Sequence, residues 1–375
     1  MATGDRRVAV IGGGIAGLAA AHSLAADGVS VTVFEASPRL GGKVLTTPFA
    51  GHPAIDEGPD AFLARAPWGT ALATQVGLAE QLVSPSAGKA AVYWRRLHDI
   101  PQGLLLGMPT DVMALAKSRL ISWPGKVRAA TEPLRRRTAT DADSLGRYVR
   151  ARFGSEVHVR LVDPLVGSIY AADTDHFSLA AVPQIADLAA KHRSVLVAGR
   201  HMPSPATNAG PVFYAPQGGM GELVDAVARE AERMGAVINT AHPVQRLERP
   251  EHGKWHVDGE DFDAVILAVP APAAARLVQG VAVDAAHALA SIPTADVAMV
   301  TLAVPSSSWP QHLSSLSGYL VPKPQQRLVT AASFGSQKWQ HWALPGAVLL
   351  RVSLGRDGLP VLHLSDEQLL AAAVD

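Results

Sequence analysis

The sequence predicts a mixed α/β (α+β) protein: a parallel β–α–β domain, a helical stretch, and an antiparallel sheet in the last third. Three observations carry this. A strand–turn–helix runs from Arg7 to Asp27, a parallel-type apolar strand returns at Asp263 to Pro270, and β-rich segments follow from Val297 onward.

The first element is the most informative. Val8-Ala9-Val10-Ile11 is an apolar strand that ends in Gly12-Gly13-Gly14-Ile15-Ala16-Gly17. Leu18, Ala21, His22 and Ala25 then recur at helical spacing until Asp27-Gly28, and a second β run, Val29 to Phe34, ends on Glu35. This is the Rossmann-type dinucleotide fingerprint with both flanking strands, its helix and its acid. Gly12 permits the tight turn, Gly14 lets the backbone approach a pyrophosphate, and Gly17 lets the helix lie close on the strand. Free N–H groups and the positive helix end face the phosphates, and Glu35 accepts ribose hydroxyls.

Composition removes other classes. At 375 residues the chain has room for two or three domains. Lys+Arg and Asp+Glu are both 33, so no global field for nucleic acid is expected. With no cysteine, disulfides, thiolate metal sites and a cysteine nucleophile are excluded. The 14 histidines show no metal-type pairing, so no metal ligand is assigned. No apolar run reaches the roughly 18 residues of a membrane helix. Glycines interrupt the one stretch that resembles a signal peptide, so a cytoplasmic protein is expected. Charge is locally uneven: between Lys89 and Arg160 there are 14 Lys/Arg against 6 Asp/Glu. That excess is a solvated set of helix faces, or a surface for anionic membrane lipid or a polyanionic substrate.

Taken in order, Ala36 to Lys43 follows the acid and carries Gly41-Gly42 between Arg39 and Lys43, a loop suited to pass beside a pyrophosphate. In Glu57-Gly58-Pro59-Asp60-Ala61, Gly-Pro sets a rigid bend and the carboxylates suit helix capping. Residues 67–130 read as helices broken at Pro85, Pro101, Pro109 and Pro124. Ser144 to Arg160 reads as one amphipathic helix, and Asp163 to Ala171 as a turn back. Residues 203–211 read as a linker. Gln217 to Glu222 opens a helix that runs to Met234. Ala236 to Asn239 and Pro243 to Leu247 read as strands, with a hairpin through Gly253, and Val244 lies where an edge backbone can bond an adenine. Strands are then expected at Val297 to Val304, Ser317 to Val321, Leu328 to Phe334 and Ala347 to Leu354, with a helix from Asp366 to Val374.

These residues, with Glu57 to Leu63, Gly167-Ser168-Ile169-Tyr170-Ala171, Ser178-Leu179, Lys191 to Ser194 and Lys338-Trp339, resemble the flavin-dependent porphyrinogen oxidases. These lie within the amine-oxidase-like flavoproteins, and the resemblance is greatest to the Gram-positive coproporphyrinogen III oxidases. It covers essentially the whole chain. It implies FAD, molecular oxygen as acceptor, and removal of six electrons from a porphyrinogen in three steps, with peroxide released at each. The implied FAD contacts are Gly12, Gly13, Gly14, Ile15, Ala16, Gly17, Glu35, Ala36, Lys43, Gly58, Pro59, Asp60, Ala61 and Val244. Arg65, Ile169, Gly318 and Leu320 would meet substrate, Arg65 as a carboxylate partner. The implied domains are FAD-binding parts at 1–66 and 206–280, a helical substrate or membrane-side domain at 67–205, and a substrate-binding sheet with the start of a helix at 281–375. The resemblance also implies a glycine-rich flavin-closing segment and helix beyond Asp375, so the sequence is expected to be a C-terminally truncated copy.

No Ser/His/Asp or paired-carboxylate constellation is visible, and no catalytic side chain is assigned, because the flavin carries the difficult chemistry. The protein's task is to orient a flat macrocycle and exclude water. Gly318 either admits a planar substrate or relieves a strand irregularity. Tyr170 reads as a core residue rather than an acid.

Overall fold

The computed structural model describes residues 6–86, 88–136, 144–201, 210–250 and 253–375. They form two compact units, 1–85 with 210–293 and 86–209 with 294–375. In the first unit, β1 (Arg7–Ile11), α1 (Ile15–Ala26) and β2 (Ser30–Phe34) are followed, after a long excursion of the chain, by α2 (Met220–Arg233), β3 (Val237–Asn239), β4 (Ala264–Leu267) and α3 (Ala271–Val278). The four strands form one parallel sheet in the order β3-β2-β1-β4. Val8 to Ile11, Val31, Val33 and Phe34 are buried, as the β-branched composition of the central strands requires. Leu18, Ala21, His22 and Ala25 turn one face of α1 inward, and α1 packs on α2, which buries Leu223, Val224, Val227 and Ala231. The returning strand is less buried than its apolar sequence suggests, since β4 lies at the sheet edge with Ala264 exposed.

The second unit is built around a six-stranded sheet. Its order is Ala298–Pro305, Ala347–Leu354, Val329–Ser333, Gly318–Leu320, Ala90–Tyr93 and Leu97–Asp99. All neighbours are antiparallel except Gly318–Leu320 with Ala90–Tyr93. The four strands expected after Val297 are present, and Ala347–Leu354 has the expected limits. Strands at 82–83, 90–93, 97–99, 104–105 and 108–109 replace much of the helix expected across 67–130, where helices cover only Pro67–Gln75, Val112–Lys117 and Trp123–Ala130 with a short turn at Ala79–Gln81. The prolines there punctuate short strands rather than helices.

The helix expected from Ser144 also differs. Ser144 caps it, accepting the Arg147 N–H at 3.1 Å, but Gly154 with φ +93° ends the first segment at Phe153. A wider π-type turn at His158–Val162 then leads into helix Asp163–Tyr170, so the expected turn back is helical, with Pro164 in its first turn where no N–H is required. The apolar set survives: Leu145, Tyr148, Val149, Phe153, Val157, Leu161 and Val166 share one core.

Among the described residues, two buried ion pairs hold this unit. Arg356 clasps Asp163 with two bonds of 2.8 and 3.0 Å and also donates to the Ala172 carbonyl. Thr174 spends its single hydroxyl proton on Asp163 (2.8 Å), so the His158 Nε2 beside it, also at 2.8 Å, must donate. His158 Nδ1 then accepts from Arg150 at 3.1 Å. Burial first, and the Arg150 charge second, lower the His158 pKa and keep the ring neutral. The second pair, Arg152 with Glu132, is 1% and 0% exposed. Among the described residues no helix is long and apolar enough to cross a membrane. The linker at 203–211 lies, apart from Gly210 and Pro211, outside the described residues.

Candidate functional site

At the C-terminal ends of β1, β2 and β4 the first unit carries a cleft of about 860 Å³. The Gly12–Gly17 turn forms its floor. Gly12 adopts φ +110°, and a Cβ there would meet the Ala268 carbonyl oxygen at 2.6 Å. A Cβ on Gly17 would fall 1.9 Å from the Gly12 oxygen, so only glycine lets α1 start this close to β1. No side chain caps α1, and Gly14 stands at its N-cap in extended backbone, with Gly14, Ile15 and Ala16 lining the cleft.

Glu35 forms one wall. Its carboxylate accepts the Gly13 N–H at 2.6 Å and the Ser37 N–H at 2.8 Å. Partial burial alone would raise its pKa. The N–H bonds from Ser37 and Gly13, with the Arg39 charge, outweigh that and lower it. Glu35 is therefore ionised at neutral pH, and each oxygen keeps lone-pair capacity for a hydroxyl.

The Gly41-Gly42 loop lies against the turn: the Gly41 N–H bonds the Gly13 carbonyl at 2.9 Å. Of its two flanking cations, Arg39 is engaged with the carbonyls of Leu40, Gly42 and Val44 at 2.7–3.2 Å, whereas Lys43 lines the cleft. A Cβ on Gly58 would come within 2.2 Å of the Lys43 oxygen, so the Gly58-Pro59 bend lies directly on this loop. On the other side, the His242 N–H bonds the Glu35 carbonyl at 2.8 Å and brings Pro243, Val244 and Gln245 to the cleft.

Of the expected cofactor residues, Gly12, Gly14, Ile15, Ala16, Glu35, Ala36, Lys43, Pro59 and Val244 line this one cleft. Gly13, Gly17 and Gly58 shape it from behind. Asp60 and Ala61 follow Pro59 on the way to strand Phe62–Leu63, outside the lining. Sequence reasoning missed Phe34, Val269, Pro270, Arg276 and Leu277, which also line it. The available signal was position: Arg276 sits on the helix that follows the last parallel strand, where such sheets place ligands.

Arg65 lies elsewhere in the same unit, on an open hollow of about 680 Å³ with Thr70, Thr74, Gln75 and Tyr214. In the second unit, helix Asp163–Tyr170 packs on strands Gly318–Leu320 and Val329–Ser333, which brings Ile169 to the same part of the unit as Gly318 and Leu320. Ile169 is 61% exposed, and Tyr170, expected in the core, is 48% exposed with its ring 4.9 Å from Phe177. The helix ends at Ala171 in left-handed conformation. Gly318 has φ +149°, and a Cβ there would meet the Ala332 oxygen at 2.2 Å. The neighbouring strand thus requires glycine at this position.

The uncapped helix start, the glycine turn, the ionised acid and Lys43 fit a dinucleotide cofactor. A model of the family described as "Flavin containing amine oxidoreductase" matches residues 15–375. The chain is 32% identical to coproporphyrinogen III oxidase of Propionibacterium freudenreichii subsp. freudenreichii, over 98% of this chain and 76% of that protein. It is 35% identical to the enzyme of the same name from Mycobacterium leprae, over 99% of this chain and 82% of the other. A crystal structure from Exiguobacterium sp. 255-15, provisionally named protoporphyrinogen oxidase, superposes with a TM-score of 0.84 at 30% identity, covering 99% of this chain and 82% of that one. Glycine turn, acid and parallel sheet are thus accounted for together, and the chain belongs to the flavin containing amine oxidoreductase family.

Proposed function

We propose that this flavoprotein uses FAD and oxygen to oxidise coproporphyrinogen III to coproporphyrin III, a step of haem biosynthesis. The cleft that gathers the glycine turn, Glu35, Lys43 and Val244 carries the reading, together with near-full-length similarity to proteins bearing that enzyme's name. Bound FAD would supply the two-electron acceptor that hands electrons on to oxygen. The chain's own residues do the holding. Gly12, Gly13 and Gly17 shape the turn, Gly14, Ile15 and Ala16 present its helix end to the pyrophosphate, and Lys43 adds a charge. Glu35 and Ala36 take the ribose, Val244 the adenine edge, and Gly58 to Ala61 flank the ring. Arg65 is the candidate partner for a substrate carboxylate, and within the second unit Ile169 and Leu320 are the candidate apolar contacts, with Gly318 spacing the strand beneath them. In this reading the segments 67–205 and 281–375 serve substrate, and 1–66 with 206–280 serve the cofactor.

Glu35→Ala should weaken FAD binding about tenfold to a hundredfold, the equivalent of about 1.5–3 kcal/mol for a charged hydrogen bond. Titrating FAD into both apoproteins checks this, and equal affinities would remove Glu35 from the ribose site. Turnover is tested by following porphyrin fluorescence and peroxide with coproporphyrinogen III and with protoporphyrinogen IX. Faster oxidation of the former is expected. Arg65→Ala should raise KM for coproporphyrinogen more than for protoporphyrinogen, because the former has more carboxylates to lose a partner from. Faster turnover of protoporphyrinogen would reassign the substrate, and equal KM changes would free Arg65 of this role.

A further inference from the structure

The last turn of helix Asp163–Tyr170 is held by polar ties rather than by burial of its own side chains, since Ile169 and Tyr170 are exposed. Ala171 follows in left-handed backbone, φ +50° and ψ +32°, which a residue with a Cβ keeps only where its surroundings fix it. Within the second unit the fixing bonds come from two directions. One is the turn after strand Ala347–Leu354. Arg356, almost fully buried, clasps Asp163 at the start of the helix and the Ala172 carbonyl just past its end. A Cβ on Gly167 would fall 2.9 Å from the Arg356 Nη2 and 3.0 Å from the Ala172 oxygen, so glycine at this position makes room for the clasp. Beside it, the Asp357 N–H donates to the Ala171 carbonyl at 2.8 Å, and the His176 Nδ1 lies 3.0 Å from the Asp357 carboxylate.

The other direction is strand Gly318–Leu320. It runs on through Val321, whose N–H bonds the Thr330 carbonyl at 2.9 Å, into a short turn at Lys323–Gln325, and Lys323 donates to Asp173. The Asp173 side chain is 8% exposed and that of Lys323 53%. The second Asp173 oxygen accepts the Asp175 N–H at 3.0 Å. Burial alone would raise the Asp173 pKa. The Lys323 ammonium and the Asp175 N–H outweigh that and lower it, so the carboxylate is ionised at neutral pH. Lys323 stands just beyond Leu320 in the chain, and Asp173 just beyond Ile169. The pair therefore joins the two segments that carry these apolar side chains. An ion pair of this exposure adds little to stability, so a gain in stability does not account for it.

We infer that Lys323 and Asp173 are positioning residues for the flat macrocycle: their ion pair sets Ile169 against Leu320, on the frame that the Arg356–Asp163 clasp holds. The two charged groups act through the segments they join, without touching substrate. The inference rests on the proposed reading of Ile169 and Leu320 as substrate contacts.

The test is a double-variant cycle on the flavin-loaded chain, read by titrating the product coproporphyrin III and by KM for coproporphyrinogen III. Lys323→Met should raise both the porphyrin Kd and KM about tenfold, and Ile169→Ala by a similar factor. The two together should do no more than the larger alone, because the ion pair works through Ile169. Lys323→Arg keeps the charge and should stay within about twofold of the parent. Circular dichroism melts should lie close to the parent; should Lys323→Met melt early, Asp173→Asn removes the same pair while keeping the oxygen that accepts the Asp175 N–H. Multiplying effects of Lys323→Met and Ile169→Ala, or an unchanged Kd in the folded Lys323 and Asp173 variants, overturn the inference and leave the proposed function standing. A parent chain that neither binds coproporphyrin III nor turns over its porphyrinogen overturns both.

Discussion

Gly17→Ala should cost the protein its flavin. The added methyl would lie 1.9 Å from the Gly12 carbonyl oxygen and 3.2 Å from the Ala268 side chain, with backbone rather than a flexible side chain in the way. The helix must therefore lift from the strand, taking with it the N–H groups at Ile15 and Ala16 that line the cleft. Overpacking of this kind costs about 1–3 kcal/mol of stability, and a clash with fixed backbone belongs at the upper end. FAD affinity should fall at least about a hundredfold, since both the phosphate-facing amides and the helix end are displaced. Flavin titration beside a thermal melt separates the two effects. An alanine variant that binds FAD like the parent would show that the crossing of α1 over β1 tolerates the methyl.

Arg152→Leu should be the most destabilising change in the second unit. The guanidinium bonds Glu132 through Nε at 2.7 Å and donates to the carbonyls of Arg136 and Arg193 at 2.8 and 2.6 Å. Glu132 also accepts from the Ser194 hydroxyl and the Val195 N–H, so the pair joins helix Leu145–Phe153, the turn at 132–134 and the start of helix Val195–His201. Removing the cation leaves a carboxylate in the core without its counter-charge, a loss of about 3–5 kcal/mol. Adding Glu132→Leu to Arg152→Leu should recover much of this, because two apolar side chains leave no stranded charge. Urea unfolding of the single and double variants gives the comparison. A single variant within about 1 kcal/mol of the parent would mean that water reaches Glu132 once the arginine is gone.

Much of the cofactor domain was legible because its signals are local. Gly12, Gly14 and Gly17 lie within one turn, and Glu35 ends the next strand, so spacing alone specified the arrangement. The strands Ala298–Pro305, Val329–Ser333 and Ala347–Leu354 are long or β-branched enough to be read singly. Ala90–Tyr93 was not, because it is four residues long and its partner Gly318–Leu320 lies more than two hundred residues away. Such pairing is decided by tertiary context, not by pattern. Asp163-Pro164 looked like a helix stop, yet proline is tolerated in a first turn, and the preceding π-type turn supplies that start. Tyr170 read as core from its aromatic ring. The helix end just beyond it is a left-handed Ala171, with no glycine or asparagine to announce it.

The order of the parallel sheet has a consequence for synthesis. β1 meets β2 almost at once, through Val8–Val31 and Val10–Val33, but its other edge waits for Ala264–Leu267, and β2 waits for Val237–Asn239. At about 5–20 residues per second, a ribosome takes on the order of ten seconds or more to make the intervening chain. For that interval a β1–β2 ribbon, if formed, would have both edges unpaired and would be a template for wrong strands. The glycine turn is thus written early and completed late, since its sheet closes only when Val237–Asn239 and Ala264–Leu267 have been made.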